Sequence, residues 1–214
     1  KCPHCYTQIA AGRDACVCGF SAAAIRAFLG SEWINLERIT DNSHRLNLRD
    51  TRYLETLLDD FERCFPQVFL AVYVGPLPTE LTVSDFGFWL INHGAFHTHL
   101  AAKRNDFGMV LVIDPLRRSA GLTIGYALES VLPEAALTTV LTRIRPRLTR
   151  SNFTGAIESG VRHIKKALCA RATTVPSYQP ELPPPTGDLA LLGLQTLRRN
   201  HHRPAPDAHR HFQS

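Results

Sequence analysis

At 214 residues the chain is long enough for one good core with appendages, and its 44% apolar content is that of an ordinary soluble protein. A formal charge of +5, carried by arginines spread along the chain, is mildly basic and is no nucleic-acid signature by itself. No run of about eighteen apolar residues occurs, so no integral membrane segment is expected, and Lys1 is followed at once by a cysteine pair rather than by a signal-peptide pattern.

The six cysteines fall into two kinds. Cys2, Cys5, Cys16 and Cys18 crowd the N-terminus as Cys2-Pro3-His4-Cys5 and Cys16-Val17-Cys18-Gly19-Phe20. Two close thiolate pairs facing each other across a short hairpin can surround a tetrahedral zinc ion. Gly19 frees the backbone for the tight turn whose amides point at the sulfurs. Residues 1–20 are too few for a core, so a structural zinc would supply their folding energy. The segment resembles very short zinc ribbons, with His4 a competitor for a shell that four thiolates already complete. Cys64 and Cys169 sit alone in apolar helical patterns and read as buried thiols. This usage suggests a reducing compartment, and the expected location is cytoplasmic.

A short apolar linker helix follows over Ala22–Leu29, within a linker spanning 21–37. Leu54, Leu57, Leu58, Phe61 and Phe65 then recur at three- and four-residue spacing, which predicts a helix capped at Asp50 and stopped by Pro66. Gln67 to Val74 is a β-branched and aromatic run that predicts a buried strand. Ser84 to His93 predicts an aromatic-rich helix capped by Ser84, its rings packing a core. Phe107 to Ile113 and Ala120 to Ile124 predict two strands joined through Asp114-Pro115. Pro133 is expected to open the next helix at its first position. Ser151 or Asn152 caps the last, whose buried stripe is Phe153, Ile157, Val161, Ile164 and Leu168. Helices must cover both faces of so apolar a sheet, which predicts a three-layer α/β/α sandwich over 38–171.

Four segments carry a family resemblance. Asn105-Asp106-Phe107-Gly108-Met109-Val110-Leu111 corresponds to a D-N-G-V-L-L strand entry, and Gly125-Tyr126-Ala127-Leu128-Glu129-Ser130-Val131-Leu132-Pro133-Glu134 resembles a G-Y-G-L-E-x-x-L-x-D segment. Ile39-Thr40-Asp41 with Leu46 resembles an opening V-x-D-x-x-x-x-L, and Phe153-Thr154-Gly155-Ala156-Ile157 resembles the start of a last helix. Together they make the chain from about Arg38 to Leu168 resemble the TPM domain family, also called TPM phosphatase or thylakoid-lumen 18.3 kDa protein-like. It departs from the pattern at Ala127, Phe107 and Glu134.

The resemblance implies an acidic surface cleft able to hold calcium or magnesium. Some relatives are described as acid phosphatases, and others look like binding or scaffold modules in membrane-protein maintenance. Carried over by position, the candidate catalytic and cation-binding residues are Asp41, Asp106 and Glu129, with Tyr126 nearby as a substrate contact. Carboxylates supply hard oxygen ligands, and a bound cation could neutralise a phosphate ester and activate water. Arg104, Arg117 and Arg118 could grip phosphate oxygens by their planar forks. No activated cysteine, phosphate-cradling glycine loop or serine triad accompanies them. The leading expectation is therefore a cation-binding interaction module with a protein partner. A metal-dependent acid phosphatase comes next, and a nucleic-acid adaptor using the ribbon and basic tail is third.

His93, His97 and His99 form a loop cluster of imidazoles able to bind zinc or copper, though without an obvious fourth ligand. Residues 172–214 shift to proline and histidine, which predicts an extended, largely disordered tail with one short helical burst at 188–198.

Overall fold

The computed structural model describes residues 2–5, 7–9, 13, 15–96 and 107–172. Its elements, in chain order, are α1 (Ala22–Leu29), β1 (Ile34–Leu36), β2 (Ile39–Asp41), α2 (Leu48–Cys64), β3 (Phe69–Val74), α3 (Val83–His93), β4 (Gly94–Phe96), β5 (Gly108–Asp114), β6 (Ser119–Ile124), a 3-10 turn (Tyr126–Leu128), α4 (Glu134–Thr149) and α5 (Phe153–Ala172). The tail expected over 172–214 lies outside the described residues beyond Ala172.

The main sheet has the order β2-β3-β5-β6. β2, β3 and β5 are parallel, and β6 returns antiparallel to β5 through the expected hairpin, with Asp114 opposite Ser119. All six residues of β3 and all seven of β5 are buried, as strands covered on both faces must be. The side-chain alternation of a strand sorts them into two cores. Leu70, Val72, Val74, Met109, Leu111 and Ile113 face the buried stripes of α2, α4 and α5. Phe69, Ala71, Tyr73, Val110 and Val112 face α3 and, beyond it, Phe20 and Ile25. The fold is thus the α/β/α arrangement that the apolar strands require. β1 and β4 form a separate parallel pair, Ile34 beside Gly94.

Local chemistry explains the helix boundaries, and several differ from expectation. α2 is capped by Asn47, whose side chain accepts from the Asp50 amide at 2.9 Å, so Asp50 lies within the first turn instead of being the cap. α3 is capped by Thr82, not Ser84. Thr82 Oγ1 accepts from the Asp85 amide at 3.1 Å and Asp85 accepts in return from the Thr82 amide at 3.0 Å, a reciprocal box. Pro133 stands just outside α4, with extended ψ of 158°. Asn152 caps α5 through the Gly155 amide at 2.8 Å.

Arg38, at the entry to β2, ties that edge to one face of α2, meeting Glu55, Asp59 (2.7 Å) and Glu62 (3.2 Å). Cys64 and Cys169 are exposed, which corrects the expectation of buried thiols. Cys64 ends α2, and Cys169 falls one position off the buried stripe of Ile157, Val161, Ile164 and Leu168. Both flank Lys165, whose ammonium is held above its ordinary range, first by a hydrogen bond to Cys64.

α3 crosses the sheet at unusually close range. A Cβ on Gly87 would come within 2.3 Å of Thr123 Oγ1 on β6, and one on Gly121 of β6 within 3.0 Å of a Val83 methyl and 3.3 Å of the Val83 backbone. Glycine at these two facing positions is what lets helix and strand approach.

Candidate functional site: a thiolate knuckle beside an acidic corner

Cys2, Cys5, Cys16 and Cys18 bring their sulfurs within 4.8 Å of one another. Cys2 lies 3.5 Å from Cys18, and Cys5 lies 3.5 Å from Cys16. These separations are too long for disulfides. They bracket the edge of about 3.8 Å that a tetrahedron of sulfurs at a zinc–sulfur distance of about 2.3 Å would have. The backbone supports the arrangement. Gly19 turns at φ +94°, its amide donates to the Cys16 carbonyl at 3.0 Å, and the His4 amide points at Cys2 Sγ at 3.4 Å.

Electrostatics supplies a second argument. Thr7, by side-chain and backbone hydrogen bonds, pulls the Cys5 thiol down to about 6. The Phe20 amide favours a Cys18 thiolate, but desolvation and the other three sulfurs outweigh it and push that thiol up to about 12. Four sulfurs in this volume cannot all be anions without a cation among them, and a thiophilic dication removes the conflict. The residues therefore fit a structural zinc, held by all four sulfurs.

His4 does not turn toward this cluster. Its Nε2 sits 2.7 Å from Asp85 Oδ1 and 3.2 Å from Thr82 Oγ1, at the N-terminus of α3. Its ring packs on Phe20 at 5.5 Å, and Phe20 meets Phe88 edge-on at 5.2 Å. A residue expected to compete for metal instead docks the knuckle on the α/β domain.

The docked knuckle forms one wall of a cavity of about 320 Å³. Cys2 and Pro3 contribute that wall, and Phe88, Ile91, Leu122, Ile124 and Leu137 make an apolar floor. Asn92, Thr123, Tyr126, Glu129 and Glu134 supply the polar lining, with no lysine or arginine among the described lining residues. Gly125, whose amide donates to the Gly108 carbonyl at 2.7 Å, swings the chain off β6 into the 3-10 turn. That turn leaves Tyr126 81% exposed at the rim. The corner thus unites two of the expected residues, Tyr126 and Glu129. It adds Asn92, Thr123 and Glu134, of which only Glu134 had a sequence signal, as the acid at the helix start.

The other expected residues lie elsewhere. Asp41 pairs in register with Val74, which pairs with Ile113, whereas the corner follows Ile124, paired with Met109. Four residues along the strands and three strand spacings across the sheet put Asp41 about 20 Å from that end. Its carboxylate is occupied locally, accepting from the Ser43 amide and hydroxyl at 3.1 and 2.9 Å and from the Leu46 amide at 2.7 Å.

Arg117 also sits at the far end, donating to the carbonyls of Leu81 (2.7 Å), Pro78 (2.6 Å) and Leu77 (3.3 Å) beside buried Asp114. It holds a loop together rather than facing the cavity. Arg118 occupies the hairpin turn in a left-handed conformation, φ 51°. Asp106, Arg104, His97 and His99 lie outside the described residues. His93 stacks on Trp89, ring centroids 5.4 Å apart, and its Nδ1 is 3.2 Å from the Trp89 carbonyl.

The chain thus joins an α/β/α domain to a knuckle of four cysteines whose sulfurs could hold a metal ion. The TPM domain matches residues 39–167, and the chain belongs to that family. No curated protein matches the sequence significantly. Among solved structures, the chain is similar to the BA42 protein of Bizionia argentinensis, with a TM-score of 0.51 and 12% identity over 67% of this chain and 93% of that one. It is also similar to the N-terminal domain of a protein from P. gingivalis, with a TM-score of 0.48, 18% identity and coverage of 62% and 82%. A third, the N-terminal domain of cg2496 from Corynebacterium glutamicum, has a TM-score of 0.49 and 13% identity over 71% and 91%. The knuckle precedes the matched residues. Among the described residues no helix is long and apolar enough to cross a membrane.

Proposed function

We propose that this chain is a non-catalytic interaction module whose acidic corner binds positive charge and whose zinc knuckle is a structural part of the binding surface. The observation that carries the reading is the cavity itself, which places Glu129 and Glu134 over an apolar floor with the metal knuckle as a wall. Calcium or magnesium is the cation that the family implies, and carboxylate oxygens are suitable ligands for either. Phosphatase chemistry is less supported, because Arg117 is engaged by three carbonyls at the opposite end of the sheet and Arg118 occupies the hairpin there.

The test is a calcium and magnesium titration of the full chain followed by amide NMR, repeated on Glu129→Gln. Saturable shifts centred on residues 124–134, weakened in the variant, are the expected result. Cation-dependent hydrolysis of a generic phosphomonoester, abolished by Glu129→Gln, would replace this reading with the enzymatic one.

A further inference from the structure

Cations run along the whole chain, but their excess over acids does not. Residues 135–171 carry eight lysines and arginines against one acid, Glu158, whereas the whole chain's excess is five, so the remainder is slightly negative. These residues are almost all of α4 and α5, which pack side by side on the face of the sheet opposite α3. Arg143, Arg147 and Arg150 recur at four- and three-residue spacing, sharing one face of α4 and its C-cap, and Ser159, His163 and Lys166 repeat that spacing on α5. Arg147 joins the two rows, its Nη1 donating to Ser159 Oγ at 3.2 Å and to the Arg143 carbonyl at 3.3 Å. Ser159 is itself buried, and His163 Nδ1 lies 2.7 Å from its carbonyl. This anchorage fixes the Arg147 guanidinium and leaves the other edge of its fork, Nε and Nη2, without a partner among the described residues. The one acid, Glu158, is taken by Arg162 at 2.7 Å, and among the described residues Arg143, Arg147, Arg150 and Lys166 have no carboxylate partner. Pairing with a helix dipole accounts for cations in a last turn only, and Arg143 and Lys166 lie before those turns.

We infer that the seam between α4 and α5 docks on the phosphate backbone of duplex nucleic acid, which Arg143, Arg147, Arg150 and Lys166 grip without reading its sequence. Guanidinium forks suit phosphate oxygens, and one of them is already held in place. The large apolar side chains exposed among the described residues all lie outside α4 and α5. The seam therefore has no wedge for a lipid interface and no ring on which single-stranded bases would stack. The row on α4 is about 10 Å long, a span over which duplex DNA presents several phosphates. Charge segregation orients the encounter. The positive face turns toward a polyanion, and Glu134 of the acidic corner stays about 20 Å along α4 from Arg147. This surface is separate from the corner and does not depend on it.

The test is fluorescence anisotropy of the full chain with a labelled DNA duplex of about 20 base pairs, repeated across salt concentrations. Four neutralised phosphates give a slope of about −3.6 in log affinity against log salt, a fall of about 150-fold between about 50 and 200 mM. Two duplexes of unrelated sequence should bind within about twofold of each other. The double variant Arg143→Gln with Arg150→Gln spares the Arg147 hydrogen bonds to Ser159 and should make the slope shallower by about 2. A control pair, Arg26→Gln with Arg118→Gln, removes two exposed cations from α1 and the β5–β6 hairpin and should leave the slope unchanged. Amide NMR shifts on adding the duplex should fall on residues 143–166. No binding at the lowest salt, or equal slopes for the parent and the Arg143 and Arg150 variant, would overturn the inference. Capture by vesicles containing about 30% phosphatidylserine without binding of the duplex would also overturn it, giving the seam to a membrane surface instead.

Discussion

Replacing Arg117 by alanine separates a structural arginine from a phosphate-binding one. Its guanidinium donates to three backbone carbonyls, two of them on buried Leu77 and Leu81, and it lies 3.5 Å from the carboxylate of Asp114, which is 1% exposed. Hydrogen bonds from a charged group contribute about 1.5 kcal/mol or more each. Side-chain exposure of 34% lets water replace some of that, and Asp114 keeps the amides of Leu77, Leu116 and Arg117. A net loss of about 3 kcal/mol follows, equivalent to a fall in melting temperature of about 6–12 °C for a chain of this size. Arg117→Lys keeps the charge but not the fork and should lose roughly half as much. Arg118→Ala, on the solvated hairpin, should stay within about 0.5 kcal/mol of the parent. Urea unfolding followed by the fluorescence of buried Trp89 reads all three. An Arg117→Ala protein as stable as the parent, or an Arg118→Ala protein equally damaged, would refute the reasoning.

The purified chain should carry about one zinc per molecule by elemental analysis, and Cys16→Ser should lower that content and expose the remaining knuckle thiols to a thiol reagent. Acidification should release the metal as protons compete for the sulfurs, measured with a chromogenic zinc chelator across falling pH. Burial raises the Tyr73 hydroxyl above its ordinary value of 10.0, and the nearby Asp114 charge adds to this against the Asn42 hydrogen bond. A raised folded value means stability that is complete below the unfolded value and lost as pH climbs through the folded one. Stability should therefore decline above about pH 10, and Tyr73→Phe should flatten that decline in urea titrations. Asp85→Ala removes both the Thr82 box and the His4 contact, so amide exchange in residues 16–20 should quicken together with that of the first turn of α3.

Much of the fold could be read from hydrophobic period alone. The unbroken apolar runs of β3 and β5 and the spaced stripes of α2 and α5 have no other good arrangement than layers. The three-residue strands were not legible, because β1 and β4 meet across about sixty positions and neither carries enough pattern to announce itself. Helix caps were misplaced by a few residues, since Asn47, Thr82 and their neighbours all include residues able to cap, and only geometry chooses among them. The site was legible in part. Glu129 and Tyr126 line one cavity, but residue type cannot say at which end of a strand a carboxylate will emerge. Asp41 emerges at the other one. His4 was legible as a polar residue in the knuckle and illegible as its anchor, because the partner, Asp85, lies far along the chain.

The two glycines where α3 meets β6 act as a gauge block. The gap between helix and strand is set by missing methyl groups at Gly87 and Gly121 rather than by soft side chains that could yield. The knuckle hangs from the N-terminal end of that same helix by His4 and Phe20. A single added methyl at Gly121 would press on Val83, next to the Thr82 and Asp85 that hold His4. The dimension of the cavity and the seating of the cysteine knuckle are therefore one mechanical tolerance, machined into the chain at two positions that carry no side chain of their own.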